Sequence, residues 1–233
     1  MSLPFYVSPE QLMQDKAEYA RKGIARGRSI VVLECLQGML LAAENPSASL
    51  SKIGEIYDRI AFAGVGKFTE FDQLRKLGVR YADMKGYAYS REDVRAKALA
   101  NAYSQAIGET FTREMKPLEA EIIVAEAGDD RLLGHEKNAI YRVQFDGSIS
   151  DHQGFCVIGG SVENLQSYLS SHYATGLPLG EAVRLACTAL GRAGNGEVKV
   201  EAQNLEVCLL DRQRSGRKFR RLSADELRGI LNS

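Results

Sequence analysis

Ser8-Pro9-Glu10-Gln11-Leu12-Met13-Gln14-Asp15-Lys16-Ala17-Glu18-Tyr19-Ala20-Arg21-Lys22-Gly23 stands ahead of the first strand-like run of the chain and fixes the element order as helix first, strands second. Ser8 suits an N-cap and Pro9 the first helical position, and Gln11 falls three residues after the serine, which together make a capping-box start. Met13, Ala17, Ala20 and Ile24 recur at three- and four-residue steps, so one face is apolar; Asp15, Lys16, Glu18, Arg21 and Lys22 spread over the rest. Gly23 and Gly27 weaken and end this helix. A hairpin comes next: 29–36 is rich in Ile, Val and Leu, Gln37-Gly38 makes a tight reversal, and 39–43 is apolar again.

Working outward, 52–57 and 60–65 read as a second strand pair about an Asp58-Arg59 turn, and these four strands are expected to make one sheet. Phe68, Phe71, Leu74 and Leu77 mark a helix over 67–78 that extends toward Met84; a second helix is expected from Ser90, with Asp93 three residues on, ending at Lys116-Pro117. The order then repeats in kind. Strands are read at 120–125, 139–145 and 155–158, with a turn at Asp146-Gly147 and a close backbone passage at Gly159-Gly160. Helices are read at 161–172 and 178–190, strands at 198–202, 205–210 and 218–222, and a last helix at 224–231, with loops at 191–197 and 212–216. Strand pairs alternating with helix pairs exclude a doubly wound parallel sheet, which needs strict alternation. The expectation is an α+β fold: a four-layer α-β-β-α sandwich of two antiparallel sheets, with the extra N-terminal helix in front.

Composition limits the function classes. The 30 basic residues match the 30 acidic ones, which argues against bulk nucleic-acid binding. The one basic cluster, Arg212, Arg214, Arg217, Lys218, Arg220 and Arg221, reads as decoration of a solvated strand and turn. Cys35, Cys156, Cys187 and Cys208 lie far apart inside apolar runs and read as reduced core residues, while His135, His152 and His172 lack ligand spacing, so no metal or cofactor is expected. Leu3 to Val7 is apolar but too short and too poor in basic flank for a signal peptide, and no run approaches membrane-spanning length; a cytoplasmic protein is expected. Gly64-Val65-Gly66-Lys67 misses the phosphate-loop pattern twice, at Ala61 and Phe68, and reads instead as tight packing at a strand-to-helix turn.

A helix laid before a hairpin, with Ser-Pro-Glu in front and Glu-Tyr-Ala-Arg behind, resembles the α-subunits of the proteasome core particle through nearly the whole chain, and the sandwich is also the fold of their N-terminal nucleophile hydrolase relatives. The Ser-Pro-Glu-Gln opening and short tail look like the actinobacterial branch. The resemblance implies a non-catalytic subunit. In β-subunits the nucleophile is a threonine at the mature N-terminus, whose free amine helps activate the hydroxyl; here Arg28 stands in that place with a helix attached, and Ser29 is the nearest hydroxyl. Glu44 and Lys52 fall near the positions that hold an acidic residue and a catalytic lysine in β-subunits. The alternative is a catalytically active N-terminal nucleophile amidohydrolase, which requires processing before a Thr, Ser or Cys at the first strand.

The resemblance also implies seven-membered rings that cap β-subunit rings, pass unfolded protein substrates, and receive the C-terminal tails of a hexameric ATPase of the pupylation pathway in pockets between neighbours. Residues 1–7 are then a gating tail, in which Leu3, Pro4, Phe5, Tyr6 and Val7 occlude the pore, and 8–233 a single domain. The Tyr-Asp-Arg triplet usual in archaeal and eukaryotic tails is missing; Tyr57-Asp58-Arg59 has the same letters between two strands. For the activator pocket the family lysine matches Lys52; Gly66, Lys67 and Phe68 match the pocket wall, and Pro9 with Met13 line the neighbour's side.

Overall fold

The lead helix starts at its expected N-cap: α1 spans Pro9–Ala25, and the Ser8 hydroxyl accepts a hydrogen bond from the Gln11 amide at 3.2 Å, while the Gln11 side chain donates to Asp15 at 2.8 Å instead of completing a capping box. The computed structural model describes residues 8–47, 49–129, 131, 137–193 and 200–232. After α1 come β1 (Ile30–Cys35), β2 (Gly38–Glu44), β3 (Ile53–Tyr57), β4 (Ile60–Gly66), α2 (Phe68–Ala88), α3 (Ala96–Arg113), β5 (Ala120–Glu126), β6 (Ala139–Val143), β7 (Ile149–His152), β8 (Phe155–Ile158), α4 (Val162–His172), α5 (Leu179–Gly191), β9 (Leu205–Asp211), β10 (Phe219–Arg221) and α6 (Ala224–Asn232).

The strands form two five-stranded antiparallel sheets, ordered β10-β9-β2-β1-β8 and β3-β4-β5-β6-β7. Their inner faces meet through Ile30, Val32, Met39 and Leu41 on one side and Ile53, Ala61, Ala63 and Ile123 on the other. The outer face of the first sheet packs under α4, α5 and α6, and that of the second under α2 and α3. Both faces of β1 and β2 are therefore largely dry, which is why they read as near-continuous apolar runs rather than as alternation.

Several expectations need correction. The first four strands do not share a sheet: β1 and β2 take β8 and β9 as neighbours, β3 and β4 take β5, and the two hairpins stack face to face. The connector 45–52 is long enough to cross the roughly 10 Å between packed sheets. Ser90 caps only a single 3-10 turn, Arg91–Asp93; α3 begins later, at Ala96, whose amide is capped across space by Glu126 at 2.8 Å. The described part of 198–202 is not a strand, and Ala202–Asn204 is a 3-10 turn; residues 198 and 199 lie outside the described residues. The polar strand β7 gave no apolar signal and was not expected. In α1 the buried face is Lys16, Ala20 and Ile24, while Met13 is exposed. The Lys16 stem lies in the core, and its ammonium reaches the Phe111 carbonyl in the last turn of α3 at 3.2 Å, a favourable place for a cation. The basic cluster is not all solvated either: Lys218 is fully buried, 2.9 Å from Asp129, and donates to the Arg212 and Arg214 carbonyls.

Among the layers, the contact most sensitive to substitution is Glu126, which is 3.1 Å from both Arg59 and Arg95 as well as capping α3. Glu126→Ala leaves Arg59, itself 5% exposed, without this carboxylate and α3 without its cap. The expected cost is about 3–5 kcal/mol, read as a drop of roughly 10 °C in the midpoint of thermal unfolding.

Candidate functional site

At the end of the sandwich where α1 meets β1, the backbone is pressed between glycines. The Gly160 amide donates to the Gly27 carbonyl at 3.1 Å, and a Cβ on Gly160 would stand 2.4 Å from the Ala25 carbonyl oxygen. Gly159, at φ +119°, lies against the Ser29 backbone. Ser29 is thereby buried at 3% exposure, and its hydroxyl accepts from the Ser161 amide at 3.3 Å. Its nitrogen is an ordinary peptide nitrogen leading back into Arg28 and α1.

Around this junction the structure gathers charges from β2, from β9 and from the residues just ahead of β1 and β3. Lys52 Nζ donates to the Arg28 carbonyl at 2.9 Å, and Arg28 Nη1 reaches Glu44 at 2.7 Å. Glu206, on β9 of the opposite sheet, accepts the backbone amides of Lys52 at 2.9 Å and Ile53 at 3.1 Å, which fixes the start of β3. Burial pushes the Lys52 ammonium down to about 8; the nearby Arg28 charge pushes the same way, against Glu206 and Glu44. A cavity of about 250 Å³ opens beside the junction, lined by Arg26, Arg28, Ser29, Glu44, Gly160 and Ser161 among others.

Of the pocket-wall residues, Gly66 and Lys67 adjoin this cluster. Lys52 accepts the Gly64 amide through its carbonyl at 3.0 Å, and Gly66 lies two residues further along β4, its nitrogen close to Gly27. Gly66 has φ +105°, and a Cβ there would meet the Glu119 carbonyl oxygen at 2.0 Å. Gly64 faces the Phe71 ring, so these glycines serve packing. The Lys67 amide donates to that same Glu119 carbonyl at 2.8 Å, and its ammonium lies 3.4 Å from Glu70. Phe68 turns back onto Phe71, with ring centroids 5.2 Å apart. Pro9 and Met13 are not brought to the site: they lie at the far end of α1, roughly 24 Å of helix from Ala25 for Pro9. Leu3, Pro4, Phe5, Tyr6 and Val7 lie outside the described residues.

A family model for the proteasome subunit matches residues 24–210, which is most of the chain and covers both sheets. The chain belongs to the proteasome family. Relatives named "Proteasome subunit alpha" are similar over nearly its whole length: one from Kineococcus radiotolerans is 53% identical over 99% of this chain and 98% of its own. One from Xylanimonas cellulosilytica is 54% identical over 95% of this chain and 93% of its own, and one from Frankia casuarinae 52% identical over 99% and 98%. This proteasome subunit is thus of the α type found in actinobacteria.

The roles of three residues around this junction escaped the sequence reading. Glu206 was legible as an anomaly, an acid inside the apolar run Leu205-Glu206-Val207-Cys208-Leu209, because a carboxylate in such a run needs donors. Glu119, whose carboxylate meets Lys116 at 3.0 Å and the Tyr19 hydroxyl at 3.2 Å and so ties α1 to this wall, carried no such signal. Arg28 was read only as a missing nucleophile, since nothing local announces its carbonyl as the acceptor for Lys52. The geometry of the junction is testable through Gly160→Val, whose branched side chain has no room against the Ala25 carbonyl. We expect a loss of about 1–3 kcal/mol of stability, with faster amide hydrogen exchange concentrated at 24–30.

Proposed function

We propose that this chain is a non-catalytic α-subunit of the proteasome core particle, which forms heptameric outer rings on rings of β-subunits, gates entry of unfolded protein substrates and docks ATPase activators. The observation that carries the non-catalytic part is Ser29, the first hydroxyl at the strand where the family's nucleophile stands, buried at 3% exposure with α1 continuing ahead of it. Lys52 and Glu44 flank that place, yet the nearest backbone nitrogen is an amide and cannot act as the proton-accepting amine. This reading puts the tail 1–7 at the pore, treats 8–233 as one domain, and assigns the protein to the cytoplasm. Among the described residues no helix is long and apolar enough to cross a membrane.

The activator site of this reading is centred on Lys52, with Gly66, Lys67 and Phe68 beside it and Pro9 and Met13 supplied by the adjacent subunit. Their separation along α1 within one chain accords with a pocket shared between two chains. A single charge-assisted bond contributes little at a wet surface, but several tails of one ATPase docking together raise the apparent affinity through effective concentration.

Two measurements test the reading. Purified chain should leave a fluorogenic peptide intact, both as wild type and as Ser29→Ala, while the complex with its β-subunits cleaves it; turnover by the isolated chain that disappears in Ser29→Ala overturns the non-catalytic assignment. Docking of a free carboxylate requires the Lys52 ammonium, which burial and Arg28 bring down to about 8. The cation is present below that value and lost above it, so binding of a dye-labelled ATPase tail peptide is level up to pH 7 and weakens by about tenfold at pH 9. Lys52→Gln should weaken it by about tenfold at pH 7 and flatten the profile.

A further inference from the structure

Lys52 does not line the cavity at the junction; Arg28 does, and while its carbonyl accepts from Lys52 its guanidinium already holds a carboxylate. Arg28 Nη1 lies 2.7 Å from Glu44, and both side chains are partly open to solvent, at 49% and 31% exposure. Arg26 is exposed on the same rim. Ser161, the N-cap of α4, also lines the cavity, and its side chain makes no capping bond because its hydroxyl donates to the Ala193 carbonyl, so the first amides of α4 face this end uncapped by a side chain. Arg26, Arg28, Glu44 and the α4 N-cap residue Ser161 line one cavity, and Glu44, bonded to Arg28, is its resident anion.

Resting on the docking reading, we propose that Arg28 is a second carboxylate-binding residue of the activator site and that Glu44 is its internal competitor, displaced when the terminal carboxylate of a docking tail enters. Lys52 Nζ already touches the Arg28 carbonyl, so the two cations are separated by no more than the length of one arginine. Glu44 is joined to the sheet through β2, whose last residue it is, and Arg28 precedes β1 on an exposed stem; rotation of the two side chains exchanges one carboxylate for another without moving a strand. A partly exposed ion pair contributes little to stability, so opening it costs little. Its effect is on selectivity: only a ligand that brings a full negative charge replaces Glu44, and a C-terminal amide does not.

The test uses the assembled α–β particle and a dye-labelled hexapeptide carrying the C-terminal sequence of the same organism's proteasomal ATPase, with a free carboxylate or amidated, read by fluorescence polarisation. Glu44→Gln is expected to tighten binding of the free-acid peptide by about threefold or more, and Arg28→Gln to weaken it by about tenfold, neither changing the amidated peptide. Glu44→Asp, whose carboxylate falls one methylene short of Arg28, gives a second variant with the same expected direction if the first fails to assemble. If Lys52→Gln abolishes binding while the Glu44 and Arg28 variants leave it unchanged, the docking reading stands and this inference is overturned. If the wild-type particle binds free-acid and amidated peptides alike, both are overturned.

Discussion

The contact between the Gly160 amide and the Gly27 carbonyl, with Gly159 against Ser29, governs this end of the molecule. A sandwich of two sheets leaves the ends of its inner core open, and here one end is closed by Ala20 and Ile24 of α1. To reach that position from β1 the chain must pass 25–28 directly over the ends of β4 and β8, and only residues without a Cβ let two backbones approach so closely. The helix is then held along its length: Lys16 by the C-terminal turn of α3, Tyr19 by Glu119, and Arg21 over the ring of Phe145 at 5.4 Å. With the junction fixed, the Arg28 carbonyl has one direction to face, and Lys52 is the donor it meets.

Acids set in or just beyond apolar strands position the layers and the strands within them. Glu206 of one sheet accepts the first amides of the other; Glu126 holds Arg59 and Arg95 and caps α3; Glu121 pairs with Arg142 below α1; Asp129 holds the buried Lys218. Burial raises the Glu121 carboxyl, with Arg142 opposing, whereas the bond from Arg131 and the contact with Lys218 hold Asp129 well below the usual range against its burial. Dispersion between two greasy sheet faces is tolerant of sliding, while a carboxylate that must meet two particular donors is not. Such acids contribute little net stability and much positional definition, the role buried polar groups serve where register between layers matters.

How much could be read in the sequence depends on how local each signal is. Residues 8–25, the two hairpins and α5 were legible because the cap, the turn residues and the apolar runs lie within the elements they define. The assignment of the hairpins to two sheets was not legible, since it depends on β8 and β9, more than a hundred residues away, competing for the edges of β1 and β2. The start of α3 was misplaced for the same reason: the local cap, Ser90, was outweighed by Glu126 from another strand. At the junction, Lys52, Gly66 and Lys67 were singled out through family resemblance alone, as candidates for the proposed activator site. The charges that surround Lys52 could not be, because Arg28, Glu44 and Glu206 converge only when the two sheets are stacked.

On the docking reading proposed above, that convergence lets a position suited to proton chemistry beside a free amine serve carboxylate recognition instead. A lysine drawn out of water beside other cations holds its proton weakly. Next to a hydroxyl and a free amine, such a group is suited to take up a proton; here a peptide bond and a buried serine occupy that space, and the ammonium bonds the Arg28 carbonyl. On the docking reading, an entering carboxylate meets a cation that folding has already withdrawn in part from water, so less of the attraction is spent on stripping water from the lysine. Folding has then done part of that work in advance, and on the same reading the excess of Lys52, Arg28 and Arg26 over Glu44 and Glu206 favours an anionic ligand.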